Sequence, residues 1–349
     1  MRDTQTAGLF QQSTDAVSAA PAEDATSKPK HSVVSDRRIM ATPRRMDIAP
    51  AVGTSANAQF DFFKGLDLTT DEVEMSGNLG YMATTMIYAA LPHKDPKSPA
   101  YERINDKLSL CITNAPSIGI PYGKYPRLIL PFICTQAKRQ NSRIIELGKN
   151  FSQFAHSLGL NTSGGLKGSG QGTRLREQAT KLFTSTITIT HRDENRIDWN
   201  KLSISDRGTI MFNPHKTAGQ GNDSPTWSAH LQLSESFFDE CINHACPIDM
   251  RVLHALESSL ACDIYVWLTY RCNALKKPQY MSWKALKWQF GSEYADTEMG
   301  LRNFKSKFVK QMAQVLALYP AKVQLDRNSN CLIVHPFATH IAPKLKSNF

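Results

Sequence analysis

The sequence predicts an α+β protein, mostly helical with short β-hairpins, in two similarly built units behind an N-terminal arm. Three observations carry this expectation. The chain has 349 residues, enough for two domains of ordinary size and a tail. Over residues 120–215 its apolar spacing gives helix, strand, helix, helix, strand, turn, strand. The same order returns over residues 230–337. The expected boundaries are a disordered basic arm at 1–58, a first unit at 59–225 and a second at 226–349.

The arm comes first. It is rich in Ala, Ser, Thr, Gln and Pro and lacks hydrophobic periodicity, so it buries too little apolar surface to offset the entropy of ordering. Lys28, Lys30, Arg37, Arg38, Arg44 and Arg45 make it basic, opposed in that stretch by Asp36 alone. Such a patch either touches phosphates or keeps the arm solvated. Gln5 with Gly8, Leu9 and Phe10 faintly resembles a short sliding-clamp peptide.

In the first unit, residues 126–139 form a helix with Leu128, Ile129, Phe132 and Ile133 inside, and 144–147 a short strand. Phe151, Phe154 and Leu158 share a helix face that Gly159 ends. A glycine-rich connector follows at 162–172. The helix at 174–183 turns Leu175, Ala179, Leu182 and Phe183 inward and Arg174, Glu177 and Lys181 away from them. The alternating stretch 184–192 is a strand, expected to close a hairpin with a second strand near 209–212.

In the second unit, Pro247, Ile248 and Asp249 open a helical region with a stripe of Leu253, Leu256, Leu260, Ile264, Trp267 and Leu268. Ser282 caps a helix with Trp283, Leu286 and Phe290 inside, ended by Gly291. The next helix, residues 301–319, is the most informative in the chain. Leu301, Phe304, Phe308, Met312, Val315 and Tyr319 share one face, and Arg302, Asn303, Ser306 and Lys310 the other. Its first ten residues hold four bases and no acid. Pro320 stops it. Strands at 322–325 and 332–334 then form a hairpin around the turn at 326–330. A helix pair followed by a hairpin, twice over, predicts tandem winged-helix domains, in which the second helix of each pair enters the major groove and the hairpin lies beside it on the backbone.

Composition points the same way. Hydrophobic residues are 41% of the chain and the net charge is +10, which favours an anionic partner. The start of the chain has no apolar signal-peptide core, and the apolar run at 128–133 is short and holds Pro131. The expectation is a soluble cytoplasmic protein with no membrane partner. The seven cysteines show no CxxC spacing and read as reduced core residues.

Several long segments resemble the plasmid-encoded RepA replication initiators of Gram-negative bacteria, relatives of the TrfA-type initiators. They lie at 121–130, 133–137, 144–160, 173–189, 247–271, 282–291 and 304–320. The resemblance implies a plasmid replication initiator that binds short direct repeats (iterons) in double-stranded DNA at an origin and promotes opening of an A+T-rich stretch. It also implies recruitment of the host replication initiator and replicative helicase, plasmid copy control, and a switch between homodimer and origin-binding monomer.

The signatures of catalysis are missing. No His-x-His pair suits a nickase, and the nearest pair, His335 and His340, is split by four residues. The glycines at 164–172 have no lysine at the place a phosphate loop needs. Neither HExxH nor Gly-x-Ser-x-Gly occurs. Asp249 and Asp263 read as cap or packing residues. The expectation is a non-enzymatic protein with no catalytic residue, metal or cofactor.

The DNA-binding residues expected in the second unit are Arg302, Asn303, Ser306 and Lys310 as base and phosphate readers, with Lys305 and Lys307 on phosphates. In the first unit Arg174, Arg176 and Lys181 hold backbone and Gln178 faces a base edge. Arg192, Arg196 and Arg327 belong to the hairpins. A transcriptional regulator on the same frame is the alternative reading. A nuclease with a cryptic metal site and a structural scaffold are more distant ones.

Overall fold

The structure, a computed structural model, describes residues 45–50, 77–105, 108–160, 170–210, 229–338 and 341. The clamp-like peptide, the arm's other basic residues and most of the glycine-rich connector lie outside these.

The elements run in chain order as β1 (Arg45–Asp47), β2 (Leu79–Ala83), α1 (Thr84–Tyr88), β3 (Ala100–Asn105), β4 (Leu108–Thr113), α2 (Lys124–Gln140), β5 (Ile144–Glu146) and α3 (Phe151–Ser157). Next come α4 (Gln171–Thr184), β6 (Thr186–Asp193), β7 (Arg196–Ser203), β8 (Ser205–Ile210), β9 (Ala229–Leu233), α5 (Glu235–Asn243), β10 (Ala245–Asp249) and α6 (Met250–Ala255). The last are α7 (Ser259–Ala274), β11 (Gln279–Ser282), α8 (Trp283–Phe290), α9 (Glu298–Leu318), β12 (Val323–Asp326) and β13 (Cys331–Val334). Helices and strands are mixed along the chain, as an α+β protein requires.

Two helices organise the core. α2 packs against β2, α4, α5 and α7, and α7 packs against α9. α7 is buried almost all round, from Leu260 to Cys272, and so reads as apolar without a marked polar face. One apolar cluster joins Leu128, Ile133, Phe154 and Leu182 to Ile264, Trp267, Phe308 and Leu332. Six of the seven cysteines are buried.

The expected element order recurs as α2–β5–α3–α4–β6–β7 and α7–β11–α8–α9–β12–β13, but the pairing differs between the two runs. In the second, β11 joins β13 antiparallel, so strand and hairpin share a sheet. In the first, β5 pairs β9 in a separate sheet, while the hairpin belongs to β3-β4-β6-β7. β9, placed in the second unit from the sequence, therefore pairs with strands of the first.

Four expectations need correction. The hairpin partner of β6 is β7, joined through Glu194 and Asn195; of the stretch expected there, residues 209 and 210 run instead in β8, which pairs β9, and 211 and 212 lie outside the described residues. Pro247, Ile248 and Asp249 lead into a helix, with Asp249 its cap, but they lie themselves in strand β10, against β2; an edge position tolerates the missing amide donor of proline. The long helix expected after them breaks into α6 and α7 around residues 256–258. Within the arm, Arg45–Asp47 is ordered as β1, paired with β12: the free backbone edge of β12 supplies the hydrogen bonds that the arm's own side chains cannot.

Candidate nucleic-acid interface

α9 begins earlier than the apolar pattern suggests. Thr297 caps it by accepting a hydrogen bond from the Gly300 amide at 3.1 Å, and Glu298 lies in the first turn. That Thr-Glu pair is the sequence signal for the true start. Phe304 and Phe308 anchor the inner face. Their rings meet at 5.5 Å, Phe308 meets Trp283 at 5.9 Å and Phe290 at 5.6 Å, and Phe304 meets Tyr294 at 5.7 Å. α8 is pinned to α9 by this aromatic packing, and α8 is itself capped by Ser282, whose hydroxyl accepts from the Ala285 amide at 3.2 Å.

With one face fixed in the core, the other is open. Arg302, Asn303, Ser306, Lys307 and Lys310 are exposed. No other described residue pairs with them, so their donors and acceptors are available to a ligand. Lys305 is different. It is half-buried, its ammonium donates to Asn330 Oδ1 at 2.6 Å and stands 5.0 Å from the Trp283 ring centre. Burial draws its pKa down. Its contact ties the β12–β13 turn to α9, and Arg327 is exposed in that turn.

The first unit is less uniform. Arg174 is exposed on α4, and Arg192 and Arg196 are exposed on the β6–β7 hairpin, Arg196 paired with Asp198 at 2.8 Å. Arg176 is half-buried and lines a cleft of about 410 Å³ with Ser117, Thr173 and Glu177. Gln178 and Lys181 do not face outward. Gln178 is 3% exposed, and its side-chain carbonyl accepts from the Tyr122 amide at 2.8 Å. Lys181 is 7% exposed, bonded to Glu177 at 2.7 Å and lying 4.9 Å from the Tyr122 ring centre. Both are committed to holding the segment before α2 against α4, which leaves neither free for DNA. Helical spacing carries no sign of this, because Tyr122 lies far away in sequence.

Sequence reasoning also missed two buried arginines that join the halves. Arg127 on α2 grips Asp263 on α7 at 2.6 and 2.7 Å. Arg103 on β3 donates to the carbonyls of Trp288 and Gln289 at the end of α8, at 3.2 and 2.5 Å. Asp249 caps α6, accepting from the Arg251 amide at 2.9 Å, as the sequence suggested. No helix among the described residues is long and apolar enough to cross a membrane.

Residues 120–288 match a family model described as plasmid encoded RepA protein. No curated protein matches the chain. Among solved structures the chain is similar to a selenomethionine derivative of domains 2 and 3 of RctB, with TM-score 0.49 and 9% identity over 73% of this chain and 100% of that one. A second structure of RctB domains 2–3 gives TM-score 0.45 and 12% identity over 71% and 94%. The family match takes in α2 through most of α8, while α9 and its hairpin follow it. Through residues 120–288 the chain is similar to the plasmid encoded RepA proteins, the family its segments resemble.

Proposed function

We propose that the chain initiates plasmid replication by binding direct repeats at the origin, promoting opening of adjacent DNA and recruiting host replication proteins. In this reading the two units are tandem winged helices. α9 enters the major groove with β12–β13 as its wing, and α4 with β6–β7 serves the first unit. One observation carries the reading: the exposed face of Arg302, Asn303, Ser306 and Lys310, on a helix whose opposite face is locked in the core and whose neighbouring hairpin is tethered through Lys305 and Asn330.

Arginine and asparagine make paired hydrogen bonds to guanine and adenine edges, and the lysines supply counterion release. The protein acts without chemistry of its own. Unstacking costs a few kcal/mol for each base step, which several copies on adjacent repeats offset. Cytoplasmic location, a dimer–monomer switch, copy control and contacts with the host initiator and replicative helicase belong to the same proposal.

The test uses the full chain with duplexes carrying direct repeats and with random duplex. Arg302→Ala is expected to cost ~1–3 kcal/mol on the repeat and to relax base preference. Lys307→Ala should weaken both duplexes alike and lower the slope of log affinity against log salt by about one unit. On a replication-deficient vector bearing the flanking DNA, supplying the gene in trans should restore replication. A chain that binds the repeats yet never supports replication is a regulator instead.

A further inference from the structure

We infer that Arg45 and Tyr280 form a phosphate-binding pair on the outer face of the β1-β12-β13-β11 sheet, extending the DNA contact of α9 onto the N-terminal arm. The inference rests on the proposed DNA reading by α9, and its ligand is the duplex backbone beside the stretch that helix reads.

Strand polarity puts Arg45 in place. β1 runs antiparallel to β12, with Arg45 opposite Asp326, Met46 opposite Leu325 and Asp47 opposite Gln324. β12 runs toward its turn, so β1 starts at that turn and leads away from it. The Ile48 amide, donating to the Val323 carbonyl at 3.2 Å, and the Gln324 side chain, donating to Asp47 Oδ1 at 2.8 Å, hold the far end. The backbone of Arg45 therefore lies at the turn end of the sheet, and its side chain reaches along the face to Tyr280, which stands in the row of Ile333, Gln324 and Asp47. Lys305 fastens the same turn to α9 through Asn330, so the strand that carries Arg45 begins where the reading helix is tied to the sheet.

The chemistry on that face suits a phosphate oxygen. Arg45 is exposed, and its Nη2 donates to the Tyr280 hydroxyl at 3.1 Å. Tyr280 is 45% exposed, and having accepted that bond its hydroxyl keeps a proton to give. A guanidinium and a phenol donor side by side match an anion with several acceptor oxygens. Two acids are close. Asp326 accepts from the Asn328 and Ser329 amides at 2.9 and 3.4 Å, and Asp47 accepts from Gln324. Both carboxylates are thus partly engaged within the sheet, while the other donors of Arg45 remain available. A strand serving only to cover the edge of β12 would need backbone pairing alone.

The test uses the full chain, repeat and random duplexes, and a salt series. Arg45→Gln keeps the strand and removes the charge. It should lower the salt slope by about one unit and weaken both duplexes equally. Tyr280→Phe should weaken both a few-fold with the slope unchanged, since no charge is lost. Ethylation interference should lose the same phosphate in both variants. An unchanged slope in Arg45→Gln, with the wild-type chain still selecting the repeat, overturns the contact and leaves the α9 reading standing. Wild-type binding that does not respond to salt overturns both.

Discussion

Arg127 shows at the scale of one side chain how the two halves are joined. It is 3% exposed. Nε and Nη2 bond Asp263, Nη1 donates to Gly123 O at 2.7 Å and Pro92 O at 3.3 Å, and Nη2 also reaches Leu91 O at 2.5 Å. A planar guanidinium can satisfy so many acceptors from one buried position, where an ammonium cannot. Removing it strands the Asp263 carboxylate and takes a donor from three carbonyls, of which Pro92 O keeps the Gly123 amide. Arg127→Met should therefore cost ~3–5 kcal/mol in urea denaturation, and adding Asp263→Leu should recover part of that, because an apolar pair is cheaper to bury than one orphaned charge. The local sequence holds little of this. Arg127 lies in an apolar helix and Asp263 in another, more than a hundred residues on. The same limit explains Gln178 and Lys181, which a helical wheel turns outward until Tyr122 covers them. The exposed face of Arg302, Asn303, Ser306 and Lys310 was legible because its partner is solvent, and solvent requires no long-range knowledge.

At the scale of the element, the start of α9 decides how the basic face is presented. The chain between α8 and α9 presses so close that a Cβ on Gly300 would lie 2.0 Å from the Ala295 carbonyl oxygen. A backbone oxygen cannot rotate aside as a side chain can. Gly300→Ala must push residues 291–297 away from the helix or unwind its first turn, where Thr297 provides the cap. We expect a loss of about 1–3 kcal/mol in thermal or urea unfolding, together with weaker repeat binding, because Arg302 and Asn303 occupy the next turn. Unaltered stability with normal binding would show that the loop yields freely. Elements with one apolar face and a clear cap were legible: α8 from Ser282 to Gly291, and β12–β13 from its alternation. β7 was not. It is an edge strand whose apolar Ile197 and Trp199 are 55% and 67% exposed, so its alternation runs opposite to a half-buried strand and resembles a polar turn. β1 was missed for a related reason. Three residues with exposed side chains carry no pattern, and only the unpaired edge of β12 makes them a strand.

At the scale of the whole molecule, the halves meet along β2–β10, along α2 against α7, and around His93. The His93 ring is held by Ser259 Oγ and the Phe290 carbonyl, each at 3.1 Å, beside Asp263 and Arg127. Burial, and next the Arg127 charge, lower its pKa to about 4. The imidazole is therefore neutral at physiological pH, and its closeness to Asp263 is not an ion pair. The unfolded chain takes up this proton near pH 6.5, the folded chain only near 4. Between those values the unfolded state binds more protons, so stability is full above pH 6.5 and falls as the pH drops toward 4, by up to about 3 kcal/mol. His93→Asn should lower stability at pH 7.5 through lost packing and flatten the fall between pH 6.5 and 4 in urea midpoints. The difference between the two profiles isolates His93 from His254 and His335, whose pKa values are also lowered, in both cases chiefly by burial. Because His93 touches the start of α7 and the end of α8, its protonation should loosen the joint before the aromatic packing under α9 gives way. Limited proteolysis between the halves should then rise below pH 5 in the wild-type chain while tryptophan fluorescence from the Trp283 environment stays native. A variant profile as steep as the wild-type one would place the acid sensitivity elsewhere and remove His93 from the joint.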